Sequence, residues 1–247
     1  MRTETFTTPG AVELRLEVPA GTVEIETAET DETLVELEAH GRDAEEYERE
    51  ARIEARPRGD GHEVTVDAGA RRGLLGFREG EYRVRIKAPD GTNVRATLAS
   101  ADIDGRGRFG EIEVDAASGD VKFDDVAGQA KINTASGDVE LRNVGSAKVN
   151  SASGDVRIDQ SGPVDAKTAS GDVLLACVSS GVVDVRSASG DVEVGIAQGS
   201  RLWVDAESRA GDTSSELELT TSPGDYDGPL VELRAQTMSG DISVRRA

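Results

Sequence analysis

The amino-acid sequence predicts an all-β fold, a single-stranded parallel β-helix (β-solenoid) of ~17–19 residues per coil. Three observations carry this. The tripeptide Ser-Gly-Asp starts at Ser118, Ser136, Ser153, Ser170, Ser189 and Ser239, with degenerate copies at Ser100 and Ala210. From Ser100 to Ser189 the spacings are 18, 18, 17, 17 and 19 residues, the mark of a repeat architecture. Apolar residues alternate on both sides of each tripeptide: Ala130 and Ile132 precede Ser136, and Val139 and Leu141 follow it. Period-two alternation means half-buried strands, two per repeat. Finally, the outward charges form a checkerboard. Four residues after each Ser stand Asp104, Lys122, Glu140 and Arg157; six residues after stand Arg106, Asp124, Arg142 and Asp159. Coils stacked ~4.8 Å apart would place these opposite charges side by side, worth roughly 0.2–1 kcal/mol per pair. An antiparallel meander offers no reason for such a pattern. Crossovers between parallel strands favour right-handed winding.

The elements follow in chain order. Val12, Leu14, Leu16 and Val18 alternate, then Val23 and Ile25, then Val35, Leu37 and Ala39, separated by Pro19-Ala20-Gly21 and by Glu29–Asp31. Residues 43–52 (DAEEYEREAR) read as a short charged helix. Val64 and Val66, then Tyr82, Val84 and Ile86, are further strands, with an apolar-tipped loop at 71–77 between them. Residues 1–90 are thus expected to be irregular strands, a short helix and an end cover, and residues 91–247 regular coils of one domain. In the regular part, Ile132, Val149, Ala166 and Val185 should stack in one internal ladder. The segment 213–229, with Ser222-Pro223-Gly224-Asp225 and Asp227-Gly228-Pro229, reads as an enlarged loop on an otherwise regular coil.

Composition limits function. The net charge of −20 repels nucleic acid and anionic lipid surfaces, and no apolar run is long enough to insert in a membrane. The opening MRTETFTTPG lacks an apolar signal region, which predicts a cytoplasmic protein. One cysteine and two histidines leave no material for a disulfide framework, a multi-cysteine metal site or a nucleophilic triad. Cys177, within LLACV, is expected to be a buried, inert thiol, and His40 and His62 to be surface residues.

The candidate residues are the turn aspartates and the single tryptophan. Asp120, Asp138, Asp155, Asp172 and Asp191, with Asp102, Asp212 and Asp241, would form a carboxylate column. Such a column could bind a cation, since calcium takes clustered carboxylates. Alternatively it is turn chemistry, with Gly supplying φ > 0 and Asp accepting backbone N–H bonds. No metal or cofactor is called for. Thr134, Ser151, Thr168 and Ser187 fall on the inward register, as a small-residue corner with hydroxyls bonded along the stack rather than as an exposed ice-binding array. Trp203 falls out of the inward register set by Val204 and Ala206, in the column that earlier coils fill with Lys131, Lys148, Asp165 and Asp184. It should point outward, covered by the 213–229 segment or forming a contact patch.

The alternating N-terminal strands, then Val84-Arg85-Ile86-Lys87-Ala88-Pro89-Asp90-Gly91, then the repeated Ala-Ser-Gly-Asp-Val, resemble a bacterial β-strand-repeat family of unknown function called "putative adhesin", related to toast-rack domains. The resemblance covers nearly the whole chain. It implies a single-stranded parallel β-helix and no enzyme activity. The expected function is therefore a non-enzymatic structural or protein-interaction solenoid, binding a protein partner or itself. The alternatives are an acidic sensor or scaffold module that binds a cation or ligand along the aspartate edge and, behind it, a polysaccharide-processing β-helix.

Overall fold

The computed structural model describes residues 1–68, 80–215 and 228–247. Among the described residues the fold is an all-β solenoid, mostly strand with one short helix. Its contacts divide the chain into two compact units, Met1–Ala127 and Gly128–Ala247.

The first unit holds β1 (Arg2–Thr7), β2 (Val12–Ala28), β3 (Glu32–His40), α1 (Ala44–Glu50), β4 (Arg52–Arg58), β5 (Gly61–Asp67), β6 (Glu81–Pro89), β7 (Thr92–Ser118) and the start of β8 (Val121–Ser136). β2 does not stop at Pro19-Ala20-Gly21 but bends there, with Gly21 at φ +115° against the Tyr82 backbone. Its two halves pair in parallel with β5 and β6 on one side and with successive parts of β7 on the other. The coil nearest the N-terminus thus lies between two coils that follow it in sequence. The far edges of β5 and β6 are covered by antiparallel strands: β4 on β5, and β3 then β1 on β6. Helix α1 is shorter than the predicted 43–52, because Arg52 already pairs with Asp67 in β4. It buries Tyr47 beside Tyr82, ring centroids 6.4 Å apart. Glu13 and Glu63, like charges on adjacent strands, are bridged by Arg15 and Arg58, and Arg95 adds a further contact to Glu13. Partial burial pushes the Glu13 carboxyl up, but Arg58 first, then Arg95 and Arg15, hold it below its ordinary value. The 71–77 loop predicted above lies outside the described residues.

The second unit holds the rest of β8, then β9 (Val139–Ser153), β10 (Val156–Ser161), β11 (Val164–Ser170), β12 (Val173–Val178), β13 (Gly181–Ser189), β14 (Val192–Ile196), β15 (Arg201–Ser208), β16 (Thr213–Ser215), β17 (Leu230–Ser239) and β18 (Ile242–Arg246). Among the described residues β9 through β18 pair in parallel. Strands before the turns run β9, β11, β13, β17, β15; strands after the turns run β9, β10, β12, β14, β18, β16. Val149, Ala166 and Val185 stack as predicted, and Ala235 and Ala206 continue their column. Arg157 lies between Glu140 and Leu174, so the charge alternation is a cross-strand pairing.

In this unit too the order departs from the sequence. The strands before and after the 213–229 segment belong to different rungs, not to one enlarged coil. Among the described residues the rung at 201–215 is the outermost, and 230–246 lies between that rung and 181–196. Apolar content explains the placement. Val231, Leu233, Ala235, Ile242 and Val244 are buried inward residues, suited to a rung covered on both sides. The outer rung has exposed Thr213 and Ser215 at the inward positions of β16, as terminal coils require.

Two predictions follow from the turns and the rung order. A Cβ on Gly154, at φ +122°, would stand 2.2 Å from the Gly137 carbonyl oxygen. Gly154→Ala should therefore cost about 2–4 kcal/mol and lower Tm by roughly 5–15 °C; a melting curve within a degree of wild type would contradict this contact. In native-state hydrogen exchange, amides of 230–246 should be protected as strongly as those of 181–196 and more than those of 201–215. Fastest exchange in 230–246 would mean that the rungs stack in chain order.

Candidate functional site

The turn aspartates form a continuous column in the second unit. The N–H of Asp155 donates to Asp138 Oδ1 at 2.9 Å. Asp172 donates to Asp155, Asp191 to Asp172, Asp241 to Asp191 and Asp212 to Asp241, each at 2.8 Å. In the first unit Asp120 donates to Asp102 Oδ1 at 2.9 Å. The other turn amides use backbone acceptors on the next rung. The Gly154 N–H donates to Ser170 O at 3.2 Å and the Val156 N–H to Asp172 O at 2.9 Å. The Asp side chain thus supplies the acceptor that the tight turn denies its neighbour's amide. Each bonded Oδ1 is committed to this role. No group of three or more potential ligands of the metal-binding types comes together among the described residues.

The inward corner differs from the prediction in its bonding. Thr134 and Thr168 donate 3.0 Å bonds to the carbonyls of Ser136 and Ser170, two residues along their own strands, not along the stack. The γ-methyl of Thr fixes χ1, which aims the hydroxyl at that carbonyl. Ser151 and Ser187, which flank Thr168 in the register, have buried Oγ atoms without a partner among the described residues. Cys177 is half-buried rather than buried, because it continues the column of Asn143 and Gln160, while Val178 joins Val144 and Ser161 in the buried column beside it. His40 is exposed and reaches Glu38 at 4.0 Å, and His62 is half-buried in β5.

Trp203 is 48% exposed. Its column is not that of Lys148, Asp165 and Asp184. Trp203 precedes Val204, whose partner is Leu233, so Asp205 continues the Asp184–Arg234 column and Trp203 lies beside Glu232 and, beyond it, Val182. Val182 and Leu230 are likewise exposed, at 46% and 47%. The three are on the outward face of β13, β17 and β15. The Arg234 guanidinium lies 5.8 Å from the indole centroid and is paired with Glu232 at 2.5 Å. Most of the 213–229 segment considered as a cover, residues 216–227, lies outside the described residues.

Sequence reasoning missed one concavity. In the first unit a groove of about 350 Å³ is lined by Glu24, Glu26, Glu36, Asp104, Arg85, Lys87 and Arg106, together with Ile25, Leu34 and Ile86. Arg85 pairs with Glu24 at 3.2 Å, Lys87 with Glu26 at 3.8 Å and Arg106 with Asp104 at 2.6 Å. Antiparallel β3 supplies one wall, and its pairing with β6 had no sequence signal. Such a groove can hold a polar partner; three of its four carboxylates are tied to cations.

The geometry agrees with the comparisons. Residues 12–245 match the Toastrack DUF4097 family, and the chain belongs to that family of β-solenoids. The fold is similar to that of a Bacteroides fragilis protein described as a "putative adhesin", with a TM-score of 0.53 at 10% identity over 100% of this chain and 96% of the other. It is also similar to a "putative lipid binding protein" of Parabacteroides distasonis, with a TM-score of 0.50 at 14% identity over 98% of this chain and 96% of that one. At such identities the likeness is one of fold. No curated protein matches the chain.

The turn chemistry is testable. Asp155→Asn keeps an acceptor oxygen and should change stability by less than about 0.5 kcal/mol, whereas Asp155→Ala strands the Asp172 amide and should cost about 1 kcal/mol. Thermal melting with and without calcium checks this. A calcium-dependent rise in Tm that is lost in Asp155→Asn would instead make the column a cation site.

Proposed function

We propose that this protein is a non-enzymatic interaction scaffold that presents flat, rigid sheet faces to a protein partner. The carrying observation is the exposed trio Val182, Trp203 and Leu230 on an outward face whose neighbouring charges, Arg234 and Glu232, are paired with each other. Exposed aromatic and aliphatic side chains with an adjacent arginine are the composition of interface hot spots. The stacked rungs support the reading, because the trio is held on paired strands with little ordering left to do on binding. The acidic charge favours a partner with a basic rim. It disfavours anionic lipid, whatever the Parabacteroides protein binds.

A photo-crosslinking residue placed at Trp203, with one at the charge-paired Arg157 as control, tests this in the native cell. Protein adducts from position 203 and not from 157 are expected. Equal labelling at the two sites, or none at 203, would overturn the reading.

A further inference from the structure

The outer rung of the second unit is finished differently on its two strands. Among the described residues β16 pairs only with β18, and β15 only with β17. β16 is blunted, since its inward positions are the exposed Thr213 and Ser215. β15 is not. Its inward positions are Leu202, Val204 and Ala206, and Val204 is 38% exposed where its stack partner Leu233 is 0%. It contains no proline, bulge or inward-pointing charge, devices by which edge strands avoid pairing; its three charged residues, Arg201, Asp205 and Glu207, are all in the outward register.

We propose that β15 pairs edge to edge with β15 of a second copy of this chain, antiparallel about a two-fold axis at Val204. The sequence of the strand is self-complementary in that register. Arg201 faces Glu207 of the other copy, and Glu207 faces its Arg201, both on the outward side. Trp203 faces Asp205. On the inward side Leu202 meets Ala206 and Val204 meets Val204, which carries the apolar columns across the junction. Other registers are worse. Parallel pairing in register stacks Arg201, Asp205 and Glu207 on themselves, and like charges directly opposite are unfavourable. Centring on Asp205 sets that carboxylate against itself. Centring on Trp203 pairs Arg201 with Asp205 but leaves Ala206, Glu207 and Ser208 beyond the partner strand, against Ser208 alone when the axis is at Val204. A register one residue off turns inward side chains against outward ones. Two-fold symmetry also closes the assembly at a dimer.

One edge strand buries little area, so association should be weak and concentration-dependent, and salt near physiological strength is needed to screen two chains of charge −20. The proposal rests on the reading of the protein as an interaction scaffold, with a second copy as one partner. Sedimentation velocity on the full chain, from low-micromolar to near-millimolar concentration, should show a monomer–dimer equilibrium. Acrylamide quenching of Trp203, the only tryptophan, should weaken as the dimer forms. Arg201→Glu and Glu207→Arg should each weaken dimerisation at least about tenfold, while circular dichroism shows both folded. Arg201 also donates to Gly228 O, so its variant alone could act locally; the complementation arm removes that ambiguity. An equimolar mixture of the two variants restores opposite charges at both Arg201–Glu207 positions and should dimerise, as should the double variant. A wild-type monomer at every concentration, as expected were another occupant on the edge, would overturn the proposal. So would unchanged dimerisation in both single variants, or a mixture that stays monomeric. Crosslinks from position 203 to a different protein, with a monomeric wild type, would leave the scaffold reading standing and this inference refuted.

Discussion

The regularity of this molecule depends on a backbone contact at its turns. The carbonyl oxygen of one turn glycine occupies the place where the next glycine would carry a side chain, at 2.2 Å for Gly154, Gly171, Gly190, Gly240 and Gly211 alike. All five have φ between +122° and +159°. These five rungs can therefore close to strand spacing at the corner only with glycine there; the Ser100-Ala101-Asp102 turn, where Ala101 stacks between Gly21 and Gly119, is the exception. Once they close, two of the three turn amides find carbonyls on the next rung, and the third finds the carboxylate of the previous one. Ser-Gly-Asp is thus the solution to a backbone accounting problem, since buried or crowded N–H groups left unpaired are costly. Its repetition reports stacking, and no catalytic meaning attaches to it.

Stacking geometry does not dictate the order of the rungs. Equivalent rungs are nearly interchangeable in backbone terms, so side chains decide which goes where. In the second unit the segment with apolar inward residues on both strands takes the inner place, and the one with Thr213 and Ser215 takes the outer. In the first unit β2, whose inward positions from Val12 to Ile25 are almost fully buried, lies between β5–β6 and β7. In both cases the coil nearest a chain end is paired on two sides, with β1 before it laid on β3. Fraying normally begins at termini; here the C-terminal coil can open only by breaking two ladders. The same arrangement raises the sequence separation of the contacts, which slows folding in exchange for protected ends.

The sequence was most legible where a single rule governs. The turn period, the alternation and the charge checkerboard were sufficient for the parallel ladder through Val149, Ala166 and Val185. β1 and β4 were not seen, because only Phe6 and Ile53 stand out as large apolar residues there, and their pairing comes from the neighbours β3 and β5. The rung exchange left no local mark, for period and alternation are the same whichever neighbour a rung chooses. Trp203 was assigned outward, yet to the wrong column, and its neighbours Val182 and Glu232 emerge only from the register. The groove of the first unit depends on antiparallel β3, whose partner no pattern in the chain specifies.

The charge tiling gives the unpaired features their meaning. Across the sheet faces carboxylates meet guanidinium groups on the same or adjacent strands, as Arg157 meets Asp159 and Arg245 meets Glu193. Such exposed pairs add little stability, about 0.2–1 kcal/mol each; they occupy the cations, while 48 acidic against 28 basic residues leave the chain an acidic excess. A partner gains little from displacing one cation from its own carboxylate. Recognition must then come from where the tiling lapses. In the second unit it lapses around β15, in the apolar trio on its outward side and in the apolar inward positions along its edge. The rung that ends the ladder is, by the same chemistry, the rung best able to continue it.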